Sequence, residues 1–334
     1  MHQVEHISFK PKFVERYSNL TDWDKFKDSS LSFLKRSIRV NTLKIPIKEL
    51  LGRLENDWNL TQIPWCKEGF WIRWKTPEEF SASQKLRGDF SGEHQTKERR
   101  DIGNLIEHPL GYFYVQEAAS MIPPLVLEPK EDEVILDIAA SPGSKTTQIA
   151  QYMNNTGILV ANDYTTKRMK PLSINLQRCG VKNCIITLMQ GQWFYNAGIK
   201  FDRILVDAPC SGTGTIRKSL KTLIVWNPDM VKRLSITQKQ LLETAFNILK
   251  ENGTLVYSTC SLEPEENEAV IDFLIKKYNN ALLEEIKIKN LKKSDPVLEF
   301  EDKSYNEEIK KCLRIWPQDN DTEGFFVAKI KKSS

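Results

Sequence analysis

The chain has 334 residues, 40% of them hydrophobic, enough for one large α/β domain and a smaller companion. Its 48 basic against 44 acidic residues leave a formal net charge of +4, which permits contact with a polyanion without requiring it. Six cysteines with no C-x-x-C pair and four histidines, none beyond position 108, argue against a disulfide framework, a zinc finger or a histidine triad.

The amino terminus, MHQVEHISFKPKF, has no apolar signal core, and no segment reaches the roughly 18 apolar residues of a membrane span. A soluble cytoplasmic monomer without metal is therefore expected. Residues 1–35 read as a helical lead-in, with Phe9, Phe13, Tyr17, Leu20 and Trp23 at near-helical spacing. SIRVNTL at 37–43 alternates as a strand, 46–58 reads as a helix, and FWIRW at 70–74 is a second strand. Such a β-α-β unit, RRM-like in style, would suit a platform on which RNA bases stack, although tryptophans at these positions also serve as core. The charged stretch 75–104 has no clean periodicity and is expected to be a loop, with the boundary of the large domain near residue 105.

Beyond it the alternation is regular. A strand is expected at 112–115 and a helix after it. Further strands fall at 134–137, 158–162, 185–188, 201–207, 254–258 and 325–330. Helices at 145–152, 167–179, 230–249 and 264–278 separate them, a pattern that means a doubly wound parallel sheet. The charge-rich 280–302 stretch gives no clear reading.

VILDIAASPGSK at 134–145 is a strand entering a tight small-residue turn that opens a helix. A phosphate-binding loop would need glycine at positions 139 and 144, where Ala139 and Ser144 stand. Gly143 is alone, so the dinucleotide fingerprint fails too. What remains is a backbone that a ligand can approach and a helix amino end that attracts a carboxylate, which S-adenosylmethionine would supply. Asp163 ends the next strand, where a carboxylate can grip a ribose hydroxyl.

FDRILVDAPCSGTG at 201–214 and LVYSTCSLEPEENE at 255–268 each run from a buried strand into a loop carrying one cysteine. Ligands of open α/β sheets gather at the carboxyl ends of the strands, so Asp207, Cys210 and Cys260 are expected in one cleft. The plain alternative is that both cysteines are small core residues. Methylating carbon 5 of a pyrimidine requires a nucleophile to add at carbon 6, for which a thiolate is suited, and a carboxyl group near ring nitrogen 3.

DAPCSGTG, STCSLEPEENE and LDIAASPGSKT together resemble the RNA 5-methylcytosine methyltransferases of the Sun-domain family. The likeness extends from IRVNTLK at 38–44 through YVQEAAS at 114–120 to RIWPQ and EGFFVAKI near the carboxyl terminus. It implies a Rossmann-like methyltransferase fold over residues 106–334, preceded by an RNA-binding α+β domain over 1–105. It also implies that Cys260 attacks carbon 6, that Cys210 assists product release, and that Asp207 contacts the cytosine. Ala139, Ala140, Ser141, Pro142, Gly143, Ser144, Lys145, Asp163 and Arg168 would hold S-adenosylmethionine, with Lys145 and Asp207 at the junction of donor and base. Gln190 stands where the family usually has an acid for the adenine, and Gln318 where histidine is frequent.

Expected RNA contacts are Arg39, Asn41, Arg217 and Lys218, with Lys97, Arg99 and Arg100 as further candidates. Transfer RNA is the first choice of substrate and ribosomal RNA the second. A zinc deaminase lacks its P-C-x-x-C motif here, and DAPC is not the loop of an exocyclic-amine methyltransferase. The motif order and large recognition domain of DNA methyltransferases are not visible. A non-catalytic RNA-binding scaffold does not explain Lys145, Asp207, Cys210 and Cys260 occurring together.

Overall fold

The computed structural model describes residues 9–76, 78–79 and 101–334. Helices α1 (Pro11–Leu20) and α2 (Trp23–Leu31) lead into a four-stranded antiparallel sheet. It consists of β1 (Ser37–Val40), β2 (Trp58–Gln62), β3 (Gly69–Trp74) and β4 (Phe113–Val115) in the order β2-β3-β1-β4, with α3 (Ile47–Leu54) between β1 and β2. Alternation along the strands sends Ile38, Val40, Trp58, Phe70 and Ile72 to one face, where they bury Leu50 and Leu54 of α3. The order, with β1 and β3 central, is that expected of an RRM-like unit.

Two expectations need correction here. Because β4 pairs with β1, through Ile38 opposite Val115 and Val40 opposite Phe113, the small sheet runs to Val115 and the change of sheets comes after it, not near residue 105. The lead-in helices, expected to belong with the small domain, instead pack Phe13, Tyr17 and Phe26 against Ile216, Trp226, Leu262 and Trp316 of the large one.

The large domain follows as α4 (Ile122–Leu127), β5 (Val134–Asp137), α5 (Ser144–Tyr152), β6 (Ile158–Asp163), α6 (Thr166–Cys179), β7 (Cys184–Leu188) and β8 (Phe201–Asp207). Then come α7 (Lys221–Val225), α8 (Pro228–Ile248), β9 (Leu249–Thr259), α9 (Glu268–Lys277) and β10 (Ala281–Glu284). A short ribbon, β11 (Glu299–Phe300) with β12 (Lys303–Ser304), precedes β13 (Leu313–Ile315), α10 (Pro317–Asn320) and β14 (Phe325–Lys332). The sheet order is β10-β14-β9-β8-β5-β6-β7, with β13 also on β14. The pairs from β9 to β7 are parallel, and β14 is antiparallel to its neighbours.

The strands are apolar on both sides because both faces are covered. Leu136, Ile204, Val206, Leu255 and Tyr257 face α8 and α9, while their neighbours Ile135, Leu205 and Val256 face α4 and α5. Helix α8 starts where Asn227 accepts a hydrogen bond from the Met230 amide at 2.8 Å, with Pro228 in the first turn. Strand order reverses between β5 and β8, which places a crevice at their carboxyl ends.

The junction between the two domains consumes two residues expected to touch RNA. Arg39 and Asn41 are fully buried. The Arg39 guanidinium donates to Gln116, to the Ser144 carbonyl at 2.8 Å and to the Thr147 hydroxyl at 2.8 Å, reaching the start of α5. Asn41 donates to the carbonyls of Gly111 and Cys179, both at 2.8 Å. These side chains join the domains and cannot reach a bound polyanion. Arg39→Ala is expected to cost about 2–4 kcal/mol of stability, because charge-assisted hydrogen bonds are lost and their buried acceptors are stranded. A lowered urea midpoint would register this, and an unchanged midpoint would contradict it.

Candidate active site

Strands β8 and β9 run side by side in parallel, with Asp207 opposite Ser258, so the loops that follow leave the sheet at one level. This register brings the two cysteines together: the sulfurs of Cys210 and Cys260 lie 3.3 Å apart, both as free thiols. The hydrogen bond to Cys260 and burial push the Cys210 thiol well above its ordinary range, so Cys210 holds its proton at neutral pH.

The loops are fixed from behind. Gly214 donates to the Cys260 carbonyl and accepts from Gly324, both at 2.9 Å. A Cβ at Gly214 would sit 2.3 Å from the Gly324 oxygen and 2.8 Å from that of Cys260, so only glycine permits this approach. Glu266, completely buried just before α9, accepts the Ser211 amide at 3.0 Å and the Ser211 hydroxyl at 2.6 Å. Burial pushes its carboxyl up to about 7, against the lowering effect of Ser211.

Lys145, in the first turn of α5, lies over the same crevice. Its ammonium donates to Asp207 at 2.7 Å and to the Ser120 hydroxyl at 3.1 Å, and stands 5.4 Å from the centre of the Phe325 ring. The other Asp207 oxygen accepts from Ser258 at 2.8 Å. Burial opposes the lysine charge, but Asp207 outweighs it and the lysine pKa is raised. Asp207→Ala would strand a buried ammonium. The expected loss is about 2–3 kcal/mol, below the value for a fully enclosed pair because a quarter of the Asp207 side chain is exposed. A denaturant midpoint within error of the parent would count against the pairing.

The sequence reading did not single out the residues that support this pair. Glu117 accepts the amides of Ala119 at 2.7 Å, Ser120 at 3.2 Å and Glu323 at 3.2 Å, tying the segment that carries Ser120 to the one that carries Phe325. Burial and the nearby Glu323 push Glu117 up to about 8. Both glutamates lie within quoted motifs, YVQEAAS and EGFFVAKI, but neither short segment has a periodicity that marks an inward acid.

A cleft of about 360 Å³ opens beside this site, lined by Ala139, Asp163, Tyr164, Arg168, Gln190 and Pro209 among others. Gly143 adopts φ +101° as the residue before α5, a left-handed conformation that glycine takes without strain. The first turn of α5 leaves backbone N–H groups with no acceptor inside the helix. Asp163 is buried in the wall, its carboxylate taking the Tyr164 amide at 2.8 Å and the Ser141 amide at 3.3 Å. Arg168 donates to the Ser141 carbonyl at 3.1 Å and fixes the turn. Of the expected donor loop only Ala139 is in the lining, with Asp163, Arg168 and Gln190; an apolar slot between a carboxylate and an amide fits a nucleoside. Gln318 donates instead to Thr21 at 3.0 Å, joining α10 to the lead-in helices.

Of the other expected RNA contacts, Arg217 is turned inward, its side chain only 1% exposed, and donates to the carbonyls of Phe33 at 2.7 Å and Thr322 at 3.2 Å and to Asp321 at 2.7 Å. It is a structural tie. The Lys218 side chain is 67% exposed, its ammonium 3.9 Å from the Glu323 carboxylate. Lys97, Arg99 and Arg100 lie outside the described residues. The face of the small sheet opposite α3 divides in two: Arg39 is covered by the large domain, whereas Asn59, Thr61, Trp71 and Arg73 line an open groove of about 630 Å³ with Phe33 and Lys35. The Lys35 ammonium lies 5.6 Å from the centre of the Trp71 ring. The aromatic and basic groups of this groove, Trp71, Arg73, Phe33 and Lys35, are therefore on β3 and in the segment before β1, not on β1 itself.

Comparison with known proteins follows the same lines. The family model described as 16S rRNA methyltransferase RsmB/F matches residues 124–331, and that for the N-terminal domain of 16S rRNA methyltransferase RsmF matches residues 9–85. The tRNA (cytosine(49)-C(5))-methyltransferase of Pyrococcus abyssi is 45% identical over 332 residues, 99% of each chain. The ribosomal RNA small subunit methyltransferase F of Shewanella oneidensis is 40% identical over 98% of this chain and 64% of its own. Among solved structures, a methyltransferase homologue from Pyrococcus horikoshii superposes with a TM-score of 0.76 at 34% identity, covering 97% of this chain and 99% of that one. NSun6 from the same organism, solved with SFG, gives 0.80 at 28% identity over 98% and 99%. On these matches and on its paired P-C and T-C loops, the chain belongs to the RsmB/F, or Sun-domain, family of RNA cytosine-C5 methyltransferases.

Proposed function

We propose that this protein methylates carbon 5 of a cytosine in transfer RNA with S-adenosylmethionine as donor, through a covalent bond between Cys260 and carbon 6 of the base. The observation that carries the reading is the 3.3 Å approach of Cys210 and Cys260 beside the Lys145–Asp207 pair, at the mouth of a cleft suited to the donor.

Ala139 to Lys145, Asp163, Arg168 and Gln190 would hold the donor, which when bound supplies a methyl group on a sulfonium. The thiolate of Cys260 adds to carbon 6, forming the S–C6 bond and moving the electron pair of the C5=C6 double bond towards carbon 5. Asp207 and Lys145 meet the polar edge of the ring and offset the charge that develops there. After carbon 5 has taken the methyl group, a base removes its proton and the C–H pair restores the double bond. The S–C6 pair then returns to Cys260. Cys210, a thiol that holds its proton next to that sulfur, assists this release.

A base in folded RNA must first leave its stack, at a cost of roughly a few kcal/mol. The Trp71 groove and Lys218 are the surfaces suited to hold the flanking strand, through stacking and phosphate contact, and the resulting binding weakens with salt.

Transfer RNA ranks first because the Pyrococcus abyssi relative, 45% identical over 99% of each chain, carries a transfer-RNA name, with position 49 as the first site to test. Ribosomal RNA is the second reading, favoured by the names of both matching family models. Bisulfite sequencing of total RNA from cells with and without the gene separates them. A 5-methylcytosine lost from transfer RNA alone is the expected result, and loss at a small-subunit ribosomal site with transfer RNA unchanged would overturn the choice.

A further inference from the structure

The EPEENE segment after the T-C cysteine has no part in the chemistry above, yet its side chains reach separate parts of the site. Glu263 accepts from Tyr17 at 2.9 Å and from the Trp226 indole at 2.8 Å, which anchors the lead-in helices. Glu268 forms a doubly hydrogen-bonded pair with Arg314, at 2.8 and 2.6 Å, both side chains fully buried. Asn267 grips the T-C loop, donating to the Ser261 carbonyl at 2.9 Å and accepting from the Thr259 hydroxyl at 2.6 Å.

Glu266 reaches across to the other loop. Besides the Ser211 amide and hydroxyl it takes a long contact from Gln238 at 3.4 Å, and Gln238 also donates to the Pro209 carbonyl at 2.9 Å. Pro209 and Ser211 flank Cys210. The Ser211 hydroxyl in turn lies 3.0 Å from that of Ser261, next to Cys260. The backbone on both sides of Cys210 is thus tied to one buried carboxylate, whereas the backbone around Cys260 is held by Asn267, with only the Ser261 hydroxyl shared with the Glu266 network.

We propose that Glu266 is the positioning residue for Cys210, and that it governs product release without being needed for attack at carbon 6. It touches no reacting atom. Its carboxylate fixes the Pro209–Cys210–Ser211 turn so that the Cys210 thiol stays against the Cys260 sulfur. When the carboxylate is removed, Cys210 drifts from its neighbour, while Cys260 keeps its own support from Asn267 and from Gly214. The inference rests on the roles proposed above for the two cysteines.

The test measures partition between product and a covalent protein–RNA adduct that survives denaturing electrophoresis, for the full chain with substrate RNA and S-adenosylmethionine. Glu266→Ala is expected to raise the trapped fraction at least tenfold over the parent and to lower turnover in step, approaching Cys210→Ala. Glu266→Gln retains an acceptor for the Ser211 amide and is expected to restore much of the release. Ser211→Ala, which removes the 2.6 Å hydroxyl bond and leaves the backbone intact, is expected to trap a smaller excess and serves if Glu266→Ala fails to fold.

Parent-like adduct levels in folded Glu266→Ala, or, where that variant does not fold, in Ser211→Ala, overturn the proposal. Loss of adduct together with turnover in folded Glu266→Ala overturns it as well, because Glu266 would then support attack. Absence of adduct in Cys210→Ala would instead remove the underlying cysteine assignment, and the proposal with it.

Discussion

Cys260→Ala is expected to abolish methyl transfer, lowering kcat by roughly 10⁴-fold or more, because the remaining thiol of the site, Cys210, holds its proton and is a poor nucleophile. The fold should survive the change: Cys260 is half-buried, and its loop is held by Asn267, Gly214 and Ser261 rather than by the sulfur. Donor binding should survive too, since Cys260 is not among the residues lining the donor cleft. Transfer of labelled methyl groups to RNA, measured beside the thermal midpoint and donor affinity, checks all three. A variant that kept even a tenth of the parent rate would be incompatible with a nucleophilic role.

Cys210→Ala is expected to fail at the opposite end of the reaction. Attack and methyl transfer proceed on Cys260, but release stalls, so enzyme accumulates as a protein–RNA adduct and multiple turnover ceases. The signature is a retarded band on a denaturing gel that disappears after nuclease treatment and is absent from Cys260→Ala and from the double variant. The physical basis is the 3.3 Å sulfur–sulfur distance together with the protonated state of Cys210, which places a proton-bearing thiol against the departing sulfur. An adduct in Cys260→Ala and none in Cys210→Ala would exchange the two roles.

The parallel sheet was legible in the sequence wherever strands are buried on both faces. ILD in β5, RILVD in β8 and LVYST in β9 are short apolar runs ending in polar residues, and each occupies the centre of the sheet as its pattern predicts. The segments that escaped reading carry little apolar contrast. Strand β2, WNLTQ, lies at an edge and has only Trp58 and Leu60 facing the core, so Trp58 reads as well as the end of a helix. Strands β10 and β13 are four and three residues long, too short to show a period.

The convergence of Asp207, Cys210 and Cys260 could be inferred because strand ends in such a sheet share one crevice. The order of strands, and with it the pairing of Asp207 with Ser258, comes from tertiary structure. The expected RNA contacts fared worst. Arg39 and Arg217 were selected for charge, but a guanidinium can equally satisfy buried carbonyls, and the geometry of both places them there. Trp71, within the FWIRW strand read as part of a base-stacking platform, lies with Lys35 on the open groove instead.

The account depends on which sulfur becomes joined to the base. Trapping Cys210→Ala on substrate RNA, digesting the adduct with nuclease and protease, and sequencing the nucleotide-bearing peptide by mass spectrometry reads that bond directly. A cytidine mass carried by Cys260, with methylation at carbon 5, is the result predicted. The same mass on any other residue, or a fully folded Cys210→Ala enzyme that turns over freely with no adduct, would contradict it.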